Sequence, residues 1–107
     1  MSAGVLLTLA IVSEVIGTVL LRVSDGMTKL WPSAGMIATY VLSVVLLAKV
    51  LKELEIGFTY AVWAGAGTAM VAVVGFAAWD EPMGLLKVLS LGAVIVGVVG
   101  LNLSTAH

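Results

Sequence analysis

The sequence predicts an all-α integral membrane protein built from four transmembrane helices. Three observations carry this. Apolar residues make up 62% of the chain and charged ones 10%, whereas a soluble domain has about half and about a quarter. The apolar residues gather into four segments of about 19 to 22 residues, the length a helix needs to cross the hydrocarbon core. The joints between them are short and polar, so the helices must run up and down as hairpins. A helix satisfies all its backbone groups internally, as a medium without water demands.

The first segment is 3–21. The joint from Arg22 to Lys29 follows, with Asp25-Gly26 as a turn signal. The second segment, 30–51, opens on Trp31-Pro32-Ser33, a tryptophan suited to the membrane interface and a proline tolerated in a first turn. The joint Lys52–Gly57 leads to the third segment, 58–79. Asp80-Glu81-Pro82 then reads as a helix start, with an acidic N-cap and proline in the first turn, ahead of the fourth segment, 83–104. Residues 1–107 thus read as one four-helix transmembrane domain. A signal peptide is not expected: no basic region precedes the first segment, which is long for an h-region.

Composition excludes several function classes. There are no cysteines, so there is no disulfide framework or thiol metal site. The one histidine, His107, cannot build a metal site alone. There is no basic stripe to suggest nucleic acid. No nucleophile–base pair or metal cluster points to an enzyme, so no catalytic or metal residues are assigned.

Glu14 is the only charge in the first segment, about eleven residues in, so roughly 16 Å of helix precedes it. An ionised group at that depth costs roughly 3 kcal/mol by insertion scales. No other segment offers a charge at matching depth. A buried structural carboxylate is the plain reading; a working proton or cation site is the sharper and favoured one. Leu7, Ala10, Ile11, Gly17 and Thr18 share the face of Glu14 at helical spacing. Ala10 and Gly17 are small enough to let a helix or ligand approach, and Thr18 offers a hydroxyl one turn away.

In the third segment Tyr60, Trp63 and Gly67 share a face. Aromatic rings and a carboxylate suit a flat or lipophilic cation; an interfacial aromatic belt is the alternative. Tyr40 lies too deep in the second segment for a belt, with Ser43 on the same face, and a helix–helix hydrogen bond would account for both. Gly65 and Gly67 suit either tight packing or a hinge for alternating access. The fourth segment carries Ser90, Ala93, Gly97, Gly100 and Ser104 at spacings of three and four, a small-residue stripe that favours a subunit interface. Four helices hardly enclose a polar path, so an oligomer is expected.

Arg22, Lys29 and Lys87 lie on one side of the membrane and Lys49 and Lys52 on the other. So weak an asymmetry leaves open both a fixed orientation, with the first and third joints cytoplasmic, and dual topology.

The chain resembles the small multidrug resistance transporters over essentially its whole length. The resemblance rests on Ser13-Glu-Val-Ile-Gly-Thr18, on the stretch from Asp25 to Ser33, on Tyr60-Ala-Val-Trp-Ala-Gly-Ala-Gly67, and on Gly97-Val-Val-Gly-Leu-Asn-Leu103. It implies an antiparallel, dual-topology homodimer in the bacterial inner membrane, with the fourth helices forming much of the dimer contact. It implies proton-coupled export of cations without a cofactor, with Glu14 binding proton and substrate in turn. Tyr40, Tyr60 and Trp63 are then implied to line the substrate pocket, with Ser43 and Thr18 as neighbours. Some family members work only as heterodimers with a paralogue. The guanidinium exporters of the family typically carry tryptophan where this chain has Gly17 and lysine where it has Asn102, so both positions resemble the multidrug, quaternary-ammonium branch. The second joint, with Lys49, Lys52, Glu53 and Glu55, and the acidic third joint depart from the family pattern. A guanidinium exporter, and a non-transporting membrane subunit or small channel, are the rival readings.

Overall fold

The computed structural model describes residues 2–105; His107 lies outside them. Four α-helices form: α1 (Ala3–Val23), α2 (Leu30–Val50), α3 (Ile56–Trp79) and α4 (Leu85–Thr105). All four are long and apolar enough to cross a membrane, and the described residues contain no strand. The chain divides into two compact units, one ending at Glu55 and the other beginning at Ile56. Each is a helical hairpin: α1 packs on α2, and α3 on α4.

In the first hairpin, Ser2 caps α1 by accepting a hydrogen bond from the Val5 N–H (3.2 Å). The helix runs two residues past the expected end at Leu21. Hydropathy stops at Arg22, but a single exposed arginine in a last turn complements the helix dipole and lets the helix continue. The chain turns instead at Ser24, which is fully buried. Its hydroxyl donates to Leu21 O (2.6 Å) and accepts from the Met27 N–H (3.0 Å). Its carbonyl accepts from the N–H groups of Thr28 (2.9 Å) and Lys29 (3.1 Å). Asp25, Gly26 and Met27 all take positive φ, at 51°, 72° and 68°, a left-handed run that the Ser24 bonds hold in place. Pro32 falls in the first turn of α2, as its spacing predicts. α2 ends at Val50, one residue short of expectation, where the Val50 carbonyl accepts from both Glu53 and Leu54 (3.0 Å each).

The buried apolar residues of this hairpin are Leu7, Ala10, Ile11 and Val15 on α1 and Met36 and Val50 on α2. Side-chain hydrogen bonds tie the helices together: Ser13 Oγ donates to Thr39 O (2.7 Å), Ser43 Oγ donates to Ala10 O (2.8 Å), and the Thr18 and Tyr40 hydroxyls lie 2.8 Å apart. In lipid, apolar burial gives little net drive between helices, so close packing and such bonds carry the association.

In the second hairpin, α3 starts two residues ahead of the expected Phe58 and runs unbroken through Gly65 and Gly67. A Cβ at Gly65 would lie 2.9 Å from Val98 and 3.1 Å from Val94, so the missing side chain is what lets α4 approach. The helix end corrects the expectation drawn from Asp80-Glu81-Pro82. Asp80 has φ 54°, and the Glu81 N–H donates back to Gly75 O (3.2 Å). The Glu81 side chain lies against Gly75, in the space a Cβ there would need. These residues therefore close α3 with a left-handed terminus rather than open α4. α4 begins at Leu85, where the Val88 N–H reaches Gly84 O (3.0 Å) and Lys87 Nζ donates to Pro82 O (3.0 Å).

Candidate cation site around Glu14

On α1, Ala10, Glu14, Gly17 and Thr18 occupy successive turns of one face. Ala10 is completely buried and Gly17 is buried, while Glu14 and Thr18 are half-buried. Glu14 Oε2 is shielded from solvent and has no hydrogen-bond partner among the described residues. A buried, unpartnered polar atom costs about 1–3 kcal/mol, and more when charged. The oxygen therefore calls for a proton or for a cation brought from outside the chain.

One turn along α1, Thr18 makes two contacts. Its hydroxyl donates to Glu14 O (3.0 Å) and lies 2.8 Å from the Tyr40 hydroxyl of α2. The Tyr40 ring passes over Gly17: a Cβ there would sit 2.5 Å from Cδ1 and 2.6 Å from Cε1 of the ring, and 2.8 Å from Thr39 Oγ1. Ser43 is buried and engaged with Ala10 O. The helix–helix hydrogen bonds expected as one account of Tyr40 and Ser43 are both present. The Thr18 contact sets the Tyr40 hydroxyl beside the residue four positions along α1 from Glu14, a rise of about 6 Å.

In the second hairpin, Tyr60 and Trp63 pair with ring centroids 5.7 Å apart and planes tilted by 35°. Tyr60 is 59% exposed, so an aromatic face is open. Trp63 Nε1 is buried and has no partner among the described residues. The hydroxyl of Thr59, a fully buried residue, shares that condition. Gly67 is buried, and Gly65 packs against α4. Ser90, Ala93, Gly97, Gly100 and Ser104 are all exposed on α4. Space is open around Gly97 and Gly100, and the Ser90 hydroxyl donates to Leu86 O (2.7 Å).

Sequence reasoning missed Ser13, Ser24, Thr39 and Thr59. Ser13 and Thr39 share a bond that becomes visible only once helices pair, while the bonds of Ser24 belong to the folded first joint. Serine and threonine inside an apolar helix are the one signal that could have flagged them, because their hydroxyls need acceptors in lipid.

Comparison with known proteins adds a second line. The family model described as Small Multidrug Resistance protein matches residues 3–104. The multidrug resistance protein EbrB of Bacillus subtilis (strain 168) is 46% identical over 101 residues, covering 94% of this chain and 86% of its own. The quaternary ammonium compound-resistance protein QacG of Staphylococcus sp. (strain ST94) is 35% identical over 96 residues, 90% of each chain. The nicotine metabolites export pump subunit NepA of Paenarthrobacter nicotinovorans is 44% identical over 102 residues, 95% of this chain and 88% of its own.

Proposed function

This chain belongs to the small multidrug resistance family, multi-pass proteins of the bacterial inner membrane that act in drug efflux, and on that premise we propose that it is a proton-coupled antiporter exporting lipophilic and quaternary ammonium cations. The observation that carries the proposal is the buried, unpartnered Oε2 of Glu14 in the middle of a membrane-spanning helix. An ionised Glu14 supplies the counter-charge for a cation; a protonated Glu14 has none to give. Proton and cation therefore compete for one group, and that competition couples their movements in opposite directions. Tyr40, Tyr60 and Trp63 supply aromatic area and cation–π attraction. The working unit is an antiparallel homodimer, in which exchanging the two subunits' conformations opens the site to either side. The α4 stripe from Ser90 to Ser104 forms its contact, and Gly65 and Gly67 its hinge. The driving force is the proton gradient.

The resemblance of Gly17 and Asn102 to the multidrug branch, with the quaternary ammonium compounds for which QacG is named, favours quaternary ammonium over guanidinium. Expression in an efflux-deficient host tests this: resistance to tetraphenylphosphonium and benzalkonium should rise with the wild type and vanish with Glu14→Gln. Resistance retained by that variant removes Glu14 from the mechanism. A gain in guanidinium tolerance alone moves the chain to the other branch. Cation flux that ignores the proton gradient marks a channel.

A second reading has its own observation. NepA is named a pump subunit, so this chain could pair with a paralogue. Resistance that appears only on co-expression with such a partner identifies that case.

A further inference from the structure

Glu14 and Tyr40 meet through two residues of α1 whose chemistry fixes what Tyr40 can offer a ligand. Thr18 has one hydroxyl proton, and it goes to Glu14 O, because a carbonyl oxygen only accepts. In the 2.8 Å contact between Thr18 Oγ1 and the Tyr40 hydroxyl, tyrosine must then be the donor. Its single proton is thereby used up within the hairpin. What remains on Tyr40 is an oxygen lone pair and the flank of the ring turned away from α1. Both attract positive charge. With its proton spent, the phenol has none to give to a carboxylate, so Tyr40 leaves the charge of Glu14 unquenched for a cation.

The same ring is held sterically. It passes so close to the α1 backbone that a Cβ at Gly17 would stand 2.5–2.6 Å from two ring carbons and 2.8 Å from Thr39 Oγ1. Such distances cannot be accommodated without moving the ring. Thr39 itself is fixed: its hydroxyl donates to Gly35 O (2.9 Å), and its carbonyl accepts from Ser13 (2.7 Å). The ring thus has a floor at Gly17, a wall at Thr39 and a tether at Thr18.

We propose that Gly17 and Thr18 are positioning residues, a seat that locks the Tyr40 ring and its proton so that Tyr40 acts as a fixed, acceptor-only wall favouring flat aromatic cations. This rests on the antiporter reading above and refines it: the two residues act through Tyr40, with no contact to the cation required. A rigid aromatic wall favours a flat cation that stacks on it, whereas a tetrahedral cation gains less from a fixed plane.

The test uses the purified full-length protein in lipid nanodiscs. The chain has two tyrosines, so 3-fluorotyrosine in a Tyr60→Phe background reports on Tyr40 alone by 19F NMR, with no ligand present. Thr18→Val should move the Tyr40 signal, Gly17→Ala should move it too, and Thr18→Ser should return it to the parent position. In parallel, affinities for ethidium and tetraphenylphosphonium are compared. Thr18→Val should lower the ethidium-to-tetraphenylphosphonium preference about three- to tenfold, the factor that one net hydrogen bond supports, and Thr18→Ser should keep it. In a Tyr40→Phe background, which has no hydroxyl to tether, Thr18→Val should change the preference less than about twofold.

A Tyr40 signal indifferent to both Thr18→Val and Gly17→Ala overturns the seat. Equal weakening for both cations, or an undiminished Thr18→Val effect in the Tyr40→Phe background, overturns its role in selectivity. A moving signal in a wild type that binds neither cation upholds the seat and removes the antiporter reading instead, so the two failures are told apart.

Discussion

At the scale of the residue, the proposed chemistry rests on Glu14, whose Oε2 is shielded and without a partner among the described residues. Its depth and isolation were legible from the sequence, because lipid makes a lone charge conspicuous. Its surroundings were only partly so. Thr18 and Gly17 fall on its face by helical spacing, but nothing in the linear order says that the Tyr40 ring lies over Gly17. Ser24 escaped for the same reason: its hydroxyl and carbonyl organise the first joint through bonds that exist only in the folded turn. Two predictions belong here. Cation affinity should weaken toward acid, because protonation removes the counter-charge of Glu14. The limiting slope is about tenfold per pH unit for one competing proton. In Glu14→Gln both the affinity and its pH dependence should be lost, as read by tetraphenylphosphonium binding across pH. Ser43→Ala removes the bond to Ala10 O and should destabilise the first hairpin by about 1 kcal/mol, measured by unfolding in mixed detergent.

At the scale of the element, all four spans were legible, and their ends less so. Hydropathy marks where charge begins, whereas a helix stops where its backbone finds a cap. Hence α1 continues through Arg22 to Val23. The third joint shows a sharper failure. Asp80-Glu81-Pro82 has the composition of a helix start, yet Asp80 adopts φ 54° and Glu81 folds back on Gly75, so the triplet ends α3. An N-cap needs extended backbone at the acidic residue, and composition does not report φ. In the first joint, Gly26 has φ 72°, where a side chain is strained by roughly 1–2 kcal/mol. Gly26→Ala should lower hairpin stability by about that amount. At Gly65, where a Cβ would meet Val98 at 2.9 Å, Gly65→Leu should part α3 from α4. A paired-cysteine crosslink placed across that hairpin should then form more slowly than in a Gly65 parent.

At the scale of the whole molecule, the family, the four membrane-spanning helices and the bacterial inner-membrane setting agree. The short joints of the sequence imply that its five basic residues divide three to two between the sides of the membrane. So even a split gives no strong preference, and an antiparallel dimer needs both orientations. A reporter fused after the last residue should therefore be found on both faces of the membrane; a reporter confined to one face excludes the antiparallel homodimer and points to a paralogous partner. The most direct measurement of the account is proton release. Purified protein in weakly buffered detergent is given saturating tetraphenylphosphonium, and the pH is followed for wild type and Glu14→Gln. The wild type should release protons and the variant none. Release that survives in Glu14→Gln, or a wild type that binds the cation and releases nothing, contradicts competition at Glu14.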